Sequence, residues 1–244
     1  MSLPLTKVTP INRYLIIANA TARIIYQVVL CYCIMRLIIA TPSPYARKVR
    51  VVLREKNVEF EEIIDVPWNR DTVTKNLNPL GKIPILIEDG NEPLFDSKVI
   101  VQYLDNLFPN PLFYPESPIE NVGAKLVEAV ADGVSDALVL IFLENVRLEK
   151  LRSGDWIDRQ ATKIYQGVKY LSSYLGTKQF FIGDHFTIAD ISVFSCLEYL
   201  DLRFPRFNWK IEHPNLKNYW DLHKTRQSYL ETKPEVQTIE TMKN

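Results

Sequence analysis

Thr41-Pro-Ser-Pro-Tyr-Ala-Arg-Lys-Val-Arg50 follows the apolar run Met35-Arg-Leu-Ile-Ile-Ala40, and reading the two together decides the fold. The run is short and rich in large aliphatic residues, which predicts a buried strand. Pro44 suits a first helical turn, and Val49, Val52 and Leu53 form an apolar stripe that carries a helix through Lys56. A strand that passes directly into a helix places the hydroxyl of Ser43 at the helix N-terminus.

Working outward, residues 60–66 predict a second strand, followed by a loop with Pro67, Trp68 and Asn69 and a short helix at 72–76. Residues 83–88 predict a third strand, and the turn signal Asp89-Gly90 leads to a fourth at 93–95. Ser97 begins a helix whose apolar face is Val99, Ile100, Tyr103, Leu104 and Leu107. The order β-α-β-α-β-β-α predicts a small mixed sheet with a helix-connected parallel pair and a hairpin.

Pro109, Pro111, Pro115 and Pro118 mark a linker, beyond which the chain reads as helical. Ser117-Pro-Ile-Glu120 has the form of a capping box. Val122, Leu126, Val130, Val134, Leu138 and Ile141 then recur at helical spacing. A helix over 155–175 ends at Gly176, and Thr187-Ile-Ala-Asp190 forms a second box, with Asp where Glu or Gln is more usual. It opens a nearly all-apolar helix, predicted to lie at the centre of its domain. Pro214 opens a last helix through Tyr229. The chain divides into an atypical segment 1–34, an α/β domain 35–112 and an all-helical domain 118–233.

With 29 basic and 29 acidic residues among 244, the charge balance points to neither nucleic acid nor an anionic membrane as partner. Three cysteines without a CxxC motif make no disulfide framework, so a reducing, cytoplasmic compartment is expected. Cys196 reads as plain core. His185, His213 and His223 lack metal-ligand spacing, and neither GxGxxG nor a Walker pattern occurs, so no metal or nucleotide is expected. Residues 14–34 have the length of a membrane span, but Arg23 near the middle costs about 2.5–3.5 kcal/mol on insertion and disfavours one. Because the first strand starts at Met35 with no turn before it, 1–34 reads as a dispensable extension, the alternatives being a surface helix or a targeting segment. Residues 203–210 mix basic and aromatic side chains and read as a packed loop.

Three places carry chemistry. Ser43 is either an N-cap or a hydroxyl donor to a bound thiolate, for which the positive helix end would also favour the anion. Ile83-Pro84 puts proline at the head of an interior strand, where a cis bond could offer the Ile83 main chain to an extended ligand. Asp96-Ser97 is a helix cap, or a clamp for a group bearing both carboxylate and ammonium. Tyr45, Trp68 and side chains around 138–142 are candidates for an apolar pocket.

Taken together, the Ser43 helix start, Asn78-Pro-Leu-Gly-Lys-Ile-Pro84, Asp96-Ser97 and Phe181-Ile-Gly-Asp-His-Phe-Thr-Ile-Ala-Asp190 resemble the glutathione transferase family, particularly its bacterial cytosolic, serine-type members, over roughly 35–233. The resemblance implies a thioredoxin-like domain, an all-helical domain, a homodimer and a role in detoxification with glutathione as co-substrate. It implies that Ser43 bonds the glutathione sulfur, with Thr41 and Tyr45 as alternative donors. Ile83, beside a cis Pro84, would pair with the cysteinyl unit, Asp96 and Ser97 would clamp the γ-glutamyl group, and Lys82 would reach the glycyl carboxylate. Thr187 and Asp190 match the family's structural helix box. The expected activity is attack of the thiolate on a small hydrophobic electrophile. The alternative is a non-catalytic interaction protein on the same fold, resembling the stringent starvation proteins that bind RNA polymerase.

Overall fold

The structure, a computed structural model, describes residues 35–239. The readings of 1–34, with its span-length stretch, Cys31 and Cys33, lie outside the described residues.

Strand β1 (Met35–Ile39) is buried except at Arg36. Helix α1 (Pro44–Glu55) follows after a turn in which the Ser43 N–H donates to Ala40 O at 3.0 Å. Strand β2 (Phe60–Ile64) lies parallel to β1, with Met35 opposite Phe60 and Ile39 opposite Ile64. After the single turn α2 (Thr74–Leu77), β3 (Ile85–Ile87) runs antiparallel on the other side of β1, with Ile38 opposite Ile85. The sheet order is therefore β2-β1-β3. Helix α3 (Ser97–Leu107) packs against α1, sharing Val49, Val52, Leu53, Ile100 and Leu104 with Leu37, Ile39 and Leu86 of the sheet.

The expected fourth strand is reduced to one bridge, Leu86 to Leu94. Leu86 and Leu94 exchange both of their hydrogen bonds, the next such pair would need an N–H that Pro84 lacks, and the chain turns into α3 directly after Asp96. The short helix also starts later than its composition suggests, at Thr74.

The helical part comprises α4 (Pro118–Val146), a 3₁₀ turn (Glu149–Leu151), α5 (Gly154–Leu175), α6 (Ile188–Arg203), α7 (Trp209–Glu212), α8 (Pro214–His223) and α9 (Gln227–Glu231). Helix α4 packs on α5 and α6, and α1 also packs on α6, which joins the two parts. Contact between α4 and α5 is close enough that a Cβ at Gly167 would stand 2.3 Å from Val134 Cγ2. Every residue of α6 from Ile188 to Leu197 is buried, as its nearly all-apolar sequence predicts, and Asp190, Ser192 and Ser195 are buried with the rest. The expected α5 stop is present too, with Gly176 at φ 58°.

Three local readings change. Ser117 has an extended N-cap backbone but its side chain makes no cap bond, since it is exposed and water can satisfy the helix end. The last helix breaks after His223, and the break allows Arg226 to reach Glu55 through two bonds of 2.6 and 2.7 Å. Within 203–210, Trp209 is fully buried, starts α7 and donates Nε1–H to Asp201 at 2.7 Å, as Lys210 does at 2.6 Å.

Asp190 is a hub of the helical part. Its carboxylate accepts from Phe181 N at 3.0 Å, Thr187 N at 2.9 Å, Thr187 Oγ1 at 3.0 Å and Tyr219 Oη at 3.0 Å. Thr187→Val keeps the volume but removes the hydroxyl from this buried site. The expected loss is about 1–2 kcal/mol, read as a shift of the urea midpoint at constant slope. A midpoint equal to that of the native protein would mean the Thr187 hydroxyl carries no stability.

Candidate functional site

Four segments meet at one end of the sheet. β1 runs out at Ile39 toward Ser43, and the β1–β3 register, continued two residues, sets Ala40 opposite Ile83. The Leu86–Leu94 bridge, continued in the same way, sets Pro84 and Ile83 opposite Asp96 and Ser97. β2, parallel to β1, leads at this end into the loop bearing Trp68.

Ser43 has extended backbone, φ −66° and ψ 121°, and its half-buried hydroxyl oxygen accepts from Ala46 N at 3.2 Å. That bond uses a lone pair and leaves the hydroxyl proton available, because a serine can accept and donate at once. No protein acceptor takes that proton among the described residues. The cap reading and the donor reading are therefore compatible. The other two hydroxyls nearby are committed: Thr41 Oγ1 donates to Glu235 O at 3.1 Å, and Tyr45 Oη donates to Asp136. Burial first, and then Asp136, push the Tyr45 phenol far above its usual range.

Ile83–Pro84 is a cis bond, and Ile83 precedes β3. Among the described residues neither the N–H nor the C=O of Ile83 takes a protein partner, which leaves a main-chain pair for an extended ligand. Asn78 holds the preceding turn, its Nδ2 donating to Lys82 O at 2.8 Å and its Oδ1 accepting from Leu80 N at 2.9 Å. Lys82 itself is exposed. Asp96 is exposed and caps α3, accepting from Lys98 N at 2.9 Å, while buried Ser97 donates Oγ–H to Asp96 at 3.3 Å. The N-terminal amides of α3 remain directed at this end of the sheet, where an anion is favoured.

Three elements of the site are not apparent from motifs. Asp65 accepts from Val66 N, Thr72 Oγ1, Thr74 Oγ1 and Thr74 N at 2.6–3.0 Å, so it ties down the loop that presents Trp68. Burial raises its carboxyl, but the bonds from Thr72 and Thr74 outweigh that and leave it below the ordinary value. Lys48, on the α1 turn after Ser43, is buried and donates to Glu128 at 2.9 Å and Asp132 at 2.8 Å on α4. Asp132 also pairs with Lys98, next to Ser97, at 3.1 Å. One carboxylate thus connects the helix carrying Ser43 to the helix carrying Ser97. Burial lowers the Lys48 ammonium, yet Asp132 and Glu128 reverse the effect and its net shift is upward. Third, Asp136 fixes the Tyr45 ring beside α4. The only sequence signal for these residues is charge at helical positions, which ordinarily marks a solvated face.

Trp68 meets Phe142 of α4 with ring centroids 6.4 Å apart. The structure thus brings together two of the expected pocket candidates from different parts of the chain. A separate hollow of about 530 Å³ is lined by Phe113, Glu116, His185, Phe186 and Arg226, none of them a predicted site residue. Among the described residues no cluster of His, Cys, Asp or Glu could hold a metal ion, and no helix is long and apolar enough to cross a membrane.

Comparison with known proteins gives two family matches. Residues 42–107 match the glutathione S-transferase N-terminal domain, and residues 154–221 match the glutathione S-transferase C-terminal domain. The uncharacterized GST-like protein YibF of Escherichia coli is 32% identical over 202 residues, covering 82% of this chain and 98% of its own. A glutathione S-transferase of Methylobacterium radiotolerans, solved with glutathione sulfonate, superposes with a TM-score of 0.82 at 40% identity, covering 84% of this chain and 97% of the other. One from Methylobacillus flagellatus, solved with glutathione bound, gives 0.80 at 36% identity, with 82% and 100% covered.

Proposed function

Since the chain belongs to the glutathione S-transferase family, we propose that it binds glutathione and activates its thiol for attack on a small hydrophobic electrophile. The observation that carries this is the convergence at one sheet end of a hydroxyl with a spare proton, an unpaired main-chain amide unit and a capped helix start. In the proposed reaction the thiol gives its proton to solvent, and Ser43 donates a hydrogen bond to the sulfur anion. The anion then forms a carbon–sulfur bond while the leaving group departs or the double bond takes up the electron pair. Ser43 is preferred to Thr41 and Tyr45 because their hydroxyl protons are already used. Ile83 pairs with the cysteinyl unit, Asp96 and Ser97 hold the γ-glutamyl group, Lys82 meets the glycyl carboxylate, and Tyr45 and Trp68 border the electrophile.

The proposal takes 35–112 as the glutathione-binding unit and 118–233 as the helical unit, in a cytoplasmic homodimer. The exposed α4 stripe Val122, Leu126, Ala129 and Gly133 supports the dimer, being apolar or small at helical spacing.

Calorimetric titration with glutathione tests the reading. The native protein gives saturable binding, and Asp96→Ala weakens it by about tenfold or more, through loss of a charged partner for the ligand's ammonium. Absence of glutathione binding by the native protein would favour the non-catalytic interaction protein instead.

A further inference from the structure

We propose that the electrophile taken by this site carries an anionic group, a carboxylate or its equivalent, and that Arg203 in the last turn of α6 binds it. This deepens the reading above and rests on it.

The Arg203 guanidinium carbon lies 4.0 Å from the Phe142 ring centroid and 5.6 Å from that of Tyr199. Phe142 is also the ring that Trp68 meets from the β2 loop. A cation therefore stands on the wall to which both halves of the molecule contribute. Its distance from the reacting end follows from α4. Tyr45, two residues past Ser43, is tied to Asp136, and Phe142 lies six residues farther along the same helix, about 9 Å at 1.5 Å per residue. A small organic molecule with its reacting carbon at the sulfur spans that interval.

The charge of Arg203 is not neutralised within the fold. The carboxylates on the same stretches of α4 and α6 are each committed elsewhere: Glu198 to Arg47, Asp201 to Trp209 and Lys210, Asp136 to Tyr45, and Glu144 to Arg147 and Ser153 N. Among the described residues Arg203 has no carboxylate partner; its guanidinium is hydrogen-bonded to the neutral side chain of Tyr199, and its buried Nε has no hydrogen-bond partner. A cation at a helix C-terminus is favoured by the helix dipole and stacks well on aromatic rings, which accounts for its presence there. Neither effect supplies an acceptor for that donor, whereas an anion drawn to the half-buried guanidinium does.

The test uses two glutathione conjugates, one whose S-substituent ends in a carboxylate and the same conjugate as its methyl ester, titrated by calorimetry into the native protein, Arg203→Gln and Arg203→Lys. The native protein should prefer the carboxylate by about tenfold or more. Arg203→Gln should lose that preference while keeping its affinity for the ester and for glutathione, and Arg203→Lys should restore part of it. Melting curves matching the native protein's establish that the variants are folded. Equal affinities of the native protein for both conjugates, or a preference undiminished in Arg203→Gln, would overturn the assignment and leave glutathione binding intact. Absence of glutathione binding itself would remove the reading beneath it, a distinguishable result.

Discussion

Ser43→Ala should lower kcat/KM for glutathione conjugation by about 10²–10³-fold, the usual effect of removing one hydrogen-bond donor from a developing or resident anion. The fold should survive. The lost cap is worth about 1 kcal/mol, which for a protein of this size lowers the melting temperature by about 2–4 °C. A pH profile separates the two roles of the hydroxyl. A free thiol titrates near 8.5, and a donor that favours the anion brings the apparent pKa of kcat/KM below that value. In Ser43→Ala the profile should move back up toward the free thiol, so the loss is greatest at neutral pH and shrinks as pH rises. Unchanged turnover, or a lower rate with an unshifted profile, would remove Ser43 from sulfur binding. Thr41 and Tyr45 are poor substitutes in the variant, because one hydroxyl is bonded to Glu235 O and the other to Asp136.

Lys48→Met should destabilise the protein by about 3–5 kcal/mol, because it leaves buried carboxylates without their cation. Glu128 keeps only the Tyr114 hydroxyl, at 2.8 Å, and Asp132 keeps only the half-exposed Lys98. The pH dependence has a definite sign. The folded-state value of Lys48 is raised, so its contribution is complete below the unfolded value near 10.4 and is lost as pH rises through the higher folded one. Denaturant unfolding at pH 7 and in strongly alkaline buffer reads both quantities, and the gap between native and Lys48→Met should narrow at the alkaline end. A second substitution, Glu128→Leu, should recover part of the loss, since an apolar pair can replace a buried ion pair at little cost. A loss below about 1 kcal/mol in the single variant would show that the buried carboxylates do not depend on Lys48.

Much of the molecule was legible because its signals are local. Ser43 and Pro44 specify a helix start through their own backbone preferences, and the structure has that cap. Gly176 and the Thr187–Asp190 box act over a single turn, and both lie where the sequence puts them. The fourth strand was misread because Leu94 has a strand-like neighbourhood while Pro84, opposite Asp96 and without an N–H, and the Asp96 cap limit the pairing to one bridge. Arg226 breaks the last helix to reach Glu55, a partner 171 residues away that no window of local sequence contains. For the site, Ser43, Ile83 and Asp96 carry turn and cap signatures. Asp65, Lys48, Asp132 and Asp136 carry only charge.

By itself the sequence determined the order of elements, the helix starts that put a hydroxyl and an acidic cap at helix mouths, and the all-helical character of the second half. These depend on proline, glycine, short polar side chains and the apolar period, each of which acts within a few residues. Only the tertiary structure decided which charged residues leave water. Arg47 and Lys48 sit in an apparently amphipathic helix, yet both are buried, because Glu198, Glu128 and Asp132 arrive from helices folded against it. Burying a charge is costly unless an opposite charge and good hydrogen bonds meet it there, and whether they do is a property of the packed chain.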